Sequence, residues 1–366
     1  MAEPIDIARE PLPPLSVLER EWRALEAEVG RGFFLSWAWI GTWLATLPPP
    51  IAPFLLRARR GSETVGLAIG VEREAARGKL PGTRALYLNA TGDPALDAIY
   101  IEHNGFLCLG SAERAVLAAL ATWFARGARD FGALHLPGIA NATRPGKLPD
   151  ERREVAGFAI DLARVAAAGD LAAALGGGAR QQLRRALRSY EQRGPLSLVE
   201  AGSTGEALEF FAALKELHIA SWQRRRRRHA FVAPYFEQFH RALIEREFSR
   251  GGIQLLKIAS GDRAIGYLYN FRRGGIVYSY QSGFDDGQRG LSPGVVSHAL
   301  AIAHNAAGGA RLYDFLAGAN RLKKNFSTLS YTLVWQVLRQ PRLDHRLRAA
   351  ARSIARGIGR RSNPPR

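Results

Sequence analysis

The chain has 366 residues, 47% hydrophobic and 23% charged, with a formal net charge of +18. That length suits two domains of about 150 residues better than one core, and no uncharged apolar run reaches the ~18 residues of a membrane span. The single cysteine, Cys108, excludes an internal disulfide; His218, His229, His240, His298 and His304 lack HxxxH or CxxC spacing, so neither a metal nor redox chemistry is expected.

The N-terminus, MAEPIDIAREPLPPLSVLER, places acids and prolines where a signal peptide needs a basic start and an apolar core, so a cytoplasmic location is expected. Further along, LLRARRGSETVGLAIG at 55–70 recurs as LLKIASGDRAIGYLYN at 255–270. Leu55, Leu56, Gly61 and Gly66 return as Leu255, Leu256, Gly261 and Gly266, which is repetition of a structural unit. Each copy is an apolar, β-branched run, a turn and a second apolar run, the pattern of a β-hairpin.

The first copy continues through AERAVLAALATWFARGARDFGALHLPG, a helix followed by a strand with Leu134, Leu136 and Gly138. Between the copies, GGGARQQLRRALRSYEQRGP predicts a strongly basic helix that stops near Gly194 and Pro195. EALEFFAALKELHIASW then places Leu208, Phe211, Leu214, Lys215 and Leu217 at mixed i+3 and i+4 spacing, an apolar stripe with His218 and Trp222 on neighbouring turns. RRRRR at 224–228 is too dense to pack and must be solvated or paired.

After the second hairpin, a turn at 271–275 leads into IVYSYQSGFD, a third strand of a meander. In LSPGVVSHALAIAHNAAGG, Ser292 stands at the N-cap, Pro293 at the first helical position, and Gly308 and Gly309 at the end. RLYDFL at 311–316 reads as a buried strand which, after a helical crossover, runs parallel to its predecessor. The duplicated unit is therefore ββ(β)αβ. The expected organisation is α/β: a first domain over 1–160, a second over 161–341, and a basic tail over 342–366. In the tail Leu343, Leu347, Ala350, Ile354 and Ile358 recur at helical spacing among arginines, which suits an amphipathic helix on an anionic membrane surface, nucleic acid, or a disordered tail.

These residues resemble the GNAT superfamily, specifically the double-GNAT proteins related to CelD-like acetyltransferases, with Fem-type aminoacyltransferases as more distant relatives. The resemblance spans roughly residues 15–340 and rests on FFLSWAWIGTWL, LRRALRSYEQRG, LHIASW with FVAPYFEQF, and LSPG…GGARLYDFLAGANRLKKNF. The last is the most specific: Asp314, Phe315, Leu316, Gly318 and Lys323 match a DFL-x-G motif with a following Tyr-Lys pair, although Leu322 stands where tyrosine is usual. What the resemblance implies is two tandem GNAT-like domains, each a mixed, mostly antiparallel sheet with one parallel pair and flanking helices. It further implies acyl transfer from acyl-CoA, acetyl-CoA included, to an amine or hydroxyl, with no metal.

In such enzymes a Q/R-x-x-G-x-G/A loop holds the coenzyme A pyrophosphate at a helix N-terminus. RGLSPG offers Arg289, Gly290, Ser292 in the place of the first glycine, and Gly294, while Pro293 removes one NH donor. This start reads either as a phosphate site or as an ordinary capped helix. The pantetheine arm would thread between the strands ending at Tyr280–Ser282, with Gln281, and at Tyr313–Leu316, whose backbone NH groups could hold an oxyanion. The first copy has AERAVL in place of the loop and is read as a non-catalytic half walling a cleft between domains.

His218 suits a general base by its ordinary pKa of about 6.5, or else packs helices. Trp222 faces the acceptor or the core. Asp314, inside an apolar strand, needs a partner and reads as a base or, preferably, as the partner of an arginine. Lys323 is the ligand-facing lysine by resemblance, with Lys324 beside it; Tyr280 would reprotonate the leaving thiolate or fill the core.

The leading expectation is an acyl-CoA-dependent N- or O-acyltransferase acting on a small-molecule, sugar or lipid-linked acceptor in exopolysaccharide or envelope metabolism, held at the inner membrane face by the tail if the acceptor is lipid-linked. The alternatives are a Fem-like transferase using aminoacyl-tRNA and an inactive GNAT pair that binds an anionic polymer. The acceptor is not legible, because fold does not dictate function.

Overall fold

The computed structural model describes residues 3–340 apart from 31, 75–83, 127, 129, 141–147 and 288–290. In chain order the first half contains β1 (Ile5–Pro11), α1 (Leu15–Val29), α2 (Trp37–Thr46), β2 (Pro53–Arg60), β3 (Glu63–Glu74), β4 (Arg84–Leu88), β5 (Leu107–Cys108), α3 (Glu113–Arg126), β6 (Phe131–Ile139) and β7 (Asp150–Asp161). The second contains α4 (Leu162–Ala167), α5 (Leu171–Ala174), α6 (Gly177–Glu191), β8 (Leu196–Glu200), α7 (Thr204–Arg224), α8 (Pro234–Glu247), β9 (Ile253–Ser260), β10 (Arg263–Arg273), β11 (Ile276–Phe284), α9 (Pro293–Ala307), β12 (Leu312–Ala317), α10 (Arg321–Phe326) and β13 (Leu329–Arg339).

The sequence repeat becomes the hairpins β2–β3 and β9–β10. Both turn on a left-handed glycine, Gly61 and Gly261, each at φ 57°, where a Cβ would be strained. Alternation then sorts the repeated leucines onto opposite faces of the sheet. Leu55 and Leu255 enter one shared core, whereas Leu56 packs under the first half and Leu256 under the second.

The shared core joins α1 and α2 of the first half to α7 and α8 of the second through Trp22, Trp39, Phe211 and Phe239, all essentially inaccessible. Phe33 stacks on Phe271 across this junction at 4.2 Å. Burying such large rings contributes about 25 cal/mol per Å² of apolar surface, so neither half presents a finished surface without the other.

Among the described residues the strands form one sheet in the order β1-β2-β3-β4-β6-β13-β7-β12-β11-β10-β9-β8, with β5 added on β3. The order is symmetric about its middle because the last strands are exchanged. β7 follows β6 in the chain yet pairs with β12, and β13 follows β12 yet pairs with β6. β7 and β13 also pair with each other, from Leu329 opposite Ala159 to Leu338 opposite Asp150, which welds the halves into one sheet. Each half keeps one parallel pair, β4 with β6 and β11 with β12, and its other pairings are antiparallel. The tail over 342–366 lies outside the described residues.

A single close approach fixes β11 against α7. A Cβ built on Gly283 would lie 2.2 Å from the Leu214 carbonyl oxygen, so only glycine lets the strand touch the backbone of the helix. Gly283→Ala is expected to lower unfolding free energy by about 1–3 kcal/mol, the usual cost of overpacking, measured by urea denaturation.

Candidate functional site

β11 and β12 are hydrogen-bonded only from Ile276/Leu312 to Tyr278/Asp314, after which they part. The reason is local. Leu316 takes φ 63°, a left-handed conformation costly for a branched residue, and Asp314 Oδ1 holds it there by accepting the Leu316 NH at 2.8 Å. Between the parted strands opens a cleft of about 340 Å³. Gln281 and Phe284 line it from β11, Phe315 from β12, and Leu322 and Lys323 from α10.

The first half supplies part of the wall through Tyr100 and Glu102. Glu102 Oε2 accepts the Ala317 NH at 2.7 Å, and the His103 ring nitrogen Nε2 lies 3.2 Å from Asp314 Oδ2 and 3.1 Å from the Tyr331 hydroxyl. Tyr331 donates to Asp314 Oδ1 at 2.7 Å. The partners of Asp314 are thus a tyrosine, a histidine and a backbone NH, which corrects the expected arginine. A buried carboxylate needs hydrogen bonds, and a hydroxyl, an imidazole and a backbone NH supply them here. Tyr100 and His103 also take positive φ, 47° and 48°, so strained backbone gathers on this wedge.

Lys323 donates through Nζ to the Leu316 and Ala317 carbonyls at 3.2 and 2.8 Å. Burial lowers its pKa, against the attraction of Glu102 and Asp314. Burial likewise raises the Glu102 carboxyl, against the Ala317 NH and the Lys323 charge. Both groups are pushed toward their neutral forms. The expectation of free backbone donors on β12 needs correction as well: the Leu316 and Ala317 NH groups are occupied by Asp314 and Glu102. On β11 the Ser282 NH bonds to the Gln281 side chain at 3.0 Å.

His218 lies on α7 against β11. Its Nδ1 donates to the Ser282 carbonyl at 2.8 Å, leaving Nε2 buried with no partner among the described residues. Burial lowers its pKa, so the ring is neutral and Nε2 carries a lone pair. Trp222 stacks on it at 5.4 Å. Both line a side cavity of about 690 Å³ with Arg228 and His229, which meets the cleft at Tyr100, Trp222 and Gln281.

Tyr280 lines the cleft, but its hydroxyl bonds to the Ile99 carbonyl and lies 3.1 Å from His240 Nε2. Burial raises its pKa far above the tyrosine range. Ser292 stands at the N-cap of α9 without capping through its side chain. The Cβ of a larger residue at Gly294 would meet the Phe284 ring at 3.2 Å. Arg289 and Gly290 lie outside the described residues. Of the arginine run, Arg224 and Arg225 pair with Asp286, while Arg226, Arg227 and Arg228 are exposed.

The structure therefore gathers His218, Trp222, Gln281 and Ser282 into one group and Asp314 with Lys323 into another. Glu102, His103 and Tyr331 escaped sequence reasoning. The available signal was the polar pair Glu102 and His103 inside the apolar stretch IYIEHNGFL, where burial demands partners. Among the described residues no group of three or more His, Cys, Asp or Glu side chains is placed to hold a metal, and no helix is long and apolar enough to cross a membrane.

Comparison with known proteins agrees with this architecture. Residues 177–324 match the family described as acetyltransferase (GNAT) domain. No curated protein matches the sequence. Among solved structures, FemX superposes with a TM-score of 0.56 at 14% identity, covering 87% of this chain and 95% of FemX. L-PGS from Bacillus licheniformis gives 0.51 at 9% identity, covering 94% of this chain and 97% of that one. A conserved protein of unknown function from Bacteroides thetaiotaomicron gives 0.51 at 10% identity, covering 91% and 100%. At these identities the likeness is one of fold. The second half thus carries a match to a GNAT domain over 177–324, and the chain as a whole, two halves built from the same unit, has a fold like that of FemX.

Proposed function

We propose that the protein transfers an acyl group from an acyl-CoA thioester to an amine or hydroxyl acceptor, at the cleft between β11 and β12. The observation that carries this reading is the parted parallel pair with a carboxylate, Glu102, and a lysine, Lys323, lining one cleft. Phe284, Phe315 and neutral His298, its pKa pushed down to about 3 by burial, offer an apolar wall suited to a pantetheine arm.

In this reading the acceptor enters through the side cavity, where Trp222 packs against it and His218 Nε2 is the unpaired hydrogen-bond acceptor in the wall. Glu102, whose raised pKa makes it a stronger base than an ordinary glutamate, takes the proton from the nucleophile. The nucleophile attacks the thioester carbonyl carbon. The oxyanion faces the Lys323 ammonium, since the β12 NH groups are already occupied. The C–S bond then breaks, and the thiolate leaves as thiol with the proton held by Glu102. The acceptor is a small molecule, a sugar or a lipid-linked molecule of exopolysaccharide or envelope metabolism, met in the cytoplasm or at the inner membrane face.

A second reading, an aminoacyl-tRNA donor, is favoured by one feature. Arg184, Arg185 and Arg188 are exposed on α6 without a carboxylate partner among the described residues, as a nucleic-acid backbone would require. Thermal shift decides between donors. Acetyl-CoA or a longer acyl-CoA at 100 times its Kd is expected to stabilise the protein by about 2.7 kcal/mol; no shift with any acyl-CoA, together with binding of charged tRNA, would select the second.

A further inference from the structure

The first half repeats the splay. β4 and β6 run parallel as far as Tyr87 opposite His135, then part as Asn89 turns at φ 48°. LHLPG at 134–138 stands where DFLAG stands at 314–318, and each ends on a left-handed glycine, Gly138 at φ 65° and Gly318 at φ 96°. A cavity of about 310 Å³ opens at this point, lined by β4, β6 and the exchanged strand β13. It lacks the cleft's transfer groups: Leu134 replaces Asp314 in the aligned motif, and among the described residues no lysine lines the cavity.

Its walls carry a different chemistry. The Tyr87 and His135 rings stack at 4.2 Å and 19°. The Arg153 guanidinium lies 4.4 Å over the Trp335 ring, a cation–π arrangement that leaves its N–H fork available. No carboxylate pairs with Arg153 among the described residues. Burial pushes the His135 pKa down to about 4, so this ring is neutral, and neither nitrogen bonds to a described residue. Among the described residues that line the cavity the one carboxylate, Asp97, is engaged: Oδ1 accepts from the Thr91 NH and hydroxyl, and Oδ2 from the Gly92 NH. Aromatic faces together with one uncommitted cation and a neutral imidazole select a planar group carrying negative charge.

We propose that this cavity is a second binding site, for a ligand that joins a flat ring to a carboxylate or phosphate, the ring lying among Trp43, Tyr87 and Trp335 and the anion meeting Arg153. Tyr100 lines this cavity and the β11–β12 cleft alike, so the two ligands are separated by one exposed side chain held at positive φ. The site stands on its own geometry and does not depend on which donor the cleft takes.

Isothermal titration of the full chain with 1-naphthoate and 1-naphthyl phosphate tests it, with 1-naphthol as the uncharged control. At least one of the two anions is expected to saturate a single site, and comparing them reveals which anionic group is preferred. Arg153→Glu is expected to weaken that binding about tenfold or more, the worth of a charged hydrogen bond, with an unchanged thermal midpoint and no effect on 1-naphthol. Failure of both anions to bind at millimolar concentration, or equal affinity in Arg153→Glu, would overturn the assignment.

Discussion

Glu102→Gln is expected to lower kcat by about 10²–10⁴-fold, the usual contribution of a positioned general base. The amide keeps an oxygen for the Ala317 NH, so the wedge should retain its place. For the proposed transfer, kcat of the unaltered protein should rise with pH through an acidic limb lying above the ordinary glutamate range, because burial raises the Glu102 pKa. The variant should lack that limb. Stability separates the loss of chemistry from loss of fold. A carboxyl whose folded pKa is raised loses stability as pH rises through that value, and glutamine removes this cost, so the thermal midpoint at neutral pH should not fall. Unchanged turnover in Glu102→Gln beside a large loss in His218→Gln would move the base to His218.

Lys323→Ala is expected to reduce kcat by about 10²–10³-fold, the range for removing one donor from a developing oxyanion. It should also cost about 1–2 kcal/mol of stability, since the Leu316 and Ala317 carbonyls lose their common donor beside a strained residue. The lowered lysine pKa places the alkaline limb of kcat below the ordinary lysine range, and the substitution should abolish it. Lys324, exposed on the same helix, is the control. Small and equal effects at the two positions would make Lys323 a structural lysine with no part in turnover.

The residue pattern by itself determined the hairpins, the basic helix before β8, the start of α9 at Pro293 and the parallel strand after it. Each follows from period-2 or period-3.6 burial and from glycine or proline where the chain must turn, all within a few residues of one another. It also singled out Asp314 as a buried carboxylate in need of company. What only the tertiary structure decided is which groups keep that company. His103 is 211 residues from Asp314 in the chain and Glu102 is 215 from Ala317. The exchange of β7 and β13 was equally silent in the sequence, because backbone hydrogen bonds in a ladder are the same for any partner strand; the choice is made by which apolar faces then close over the shared core. The local periodicities build two similar halves, and the long-range exchange places a carboxylate of one beside the lysine of the other.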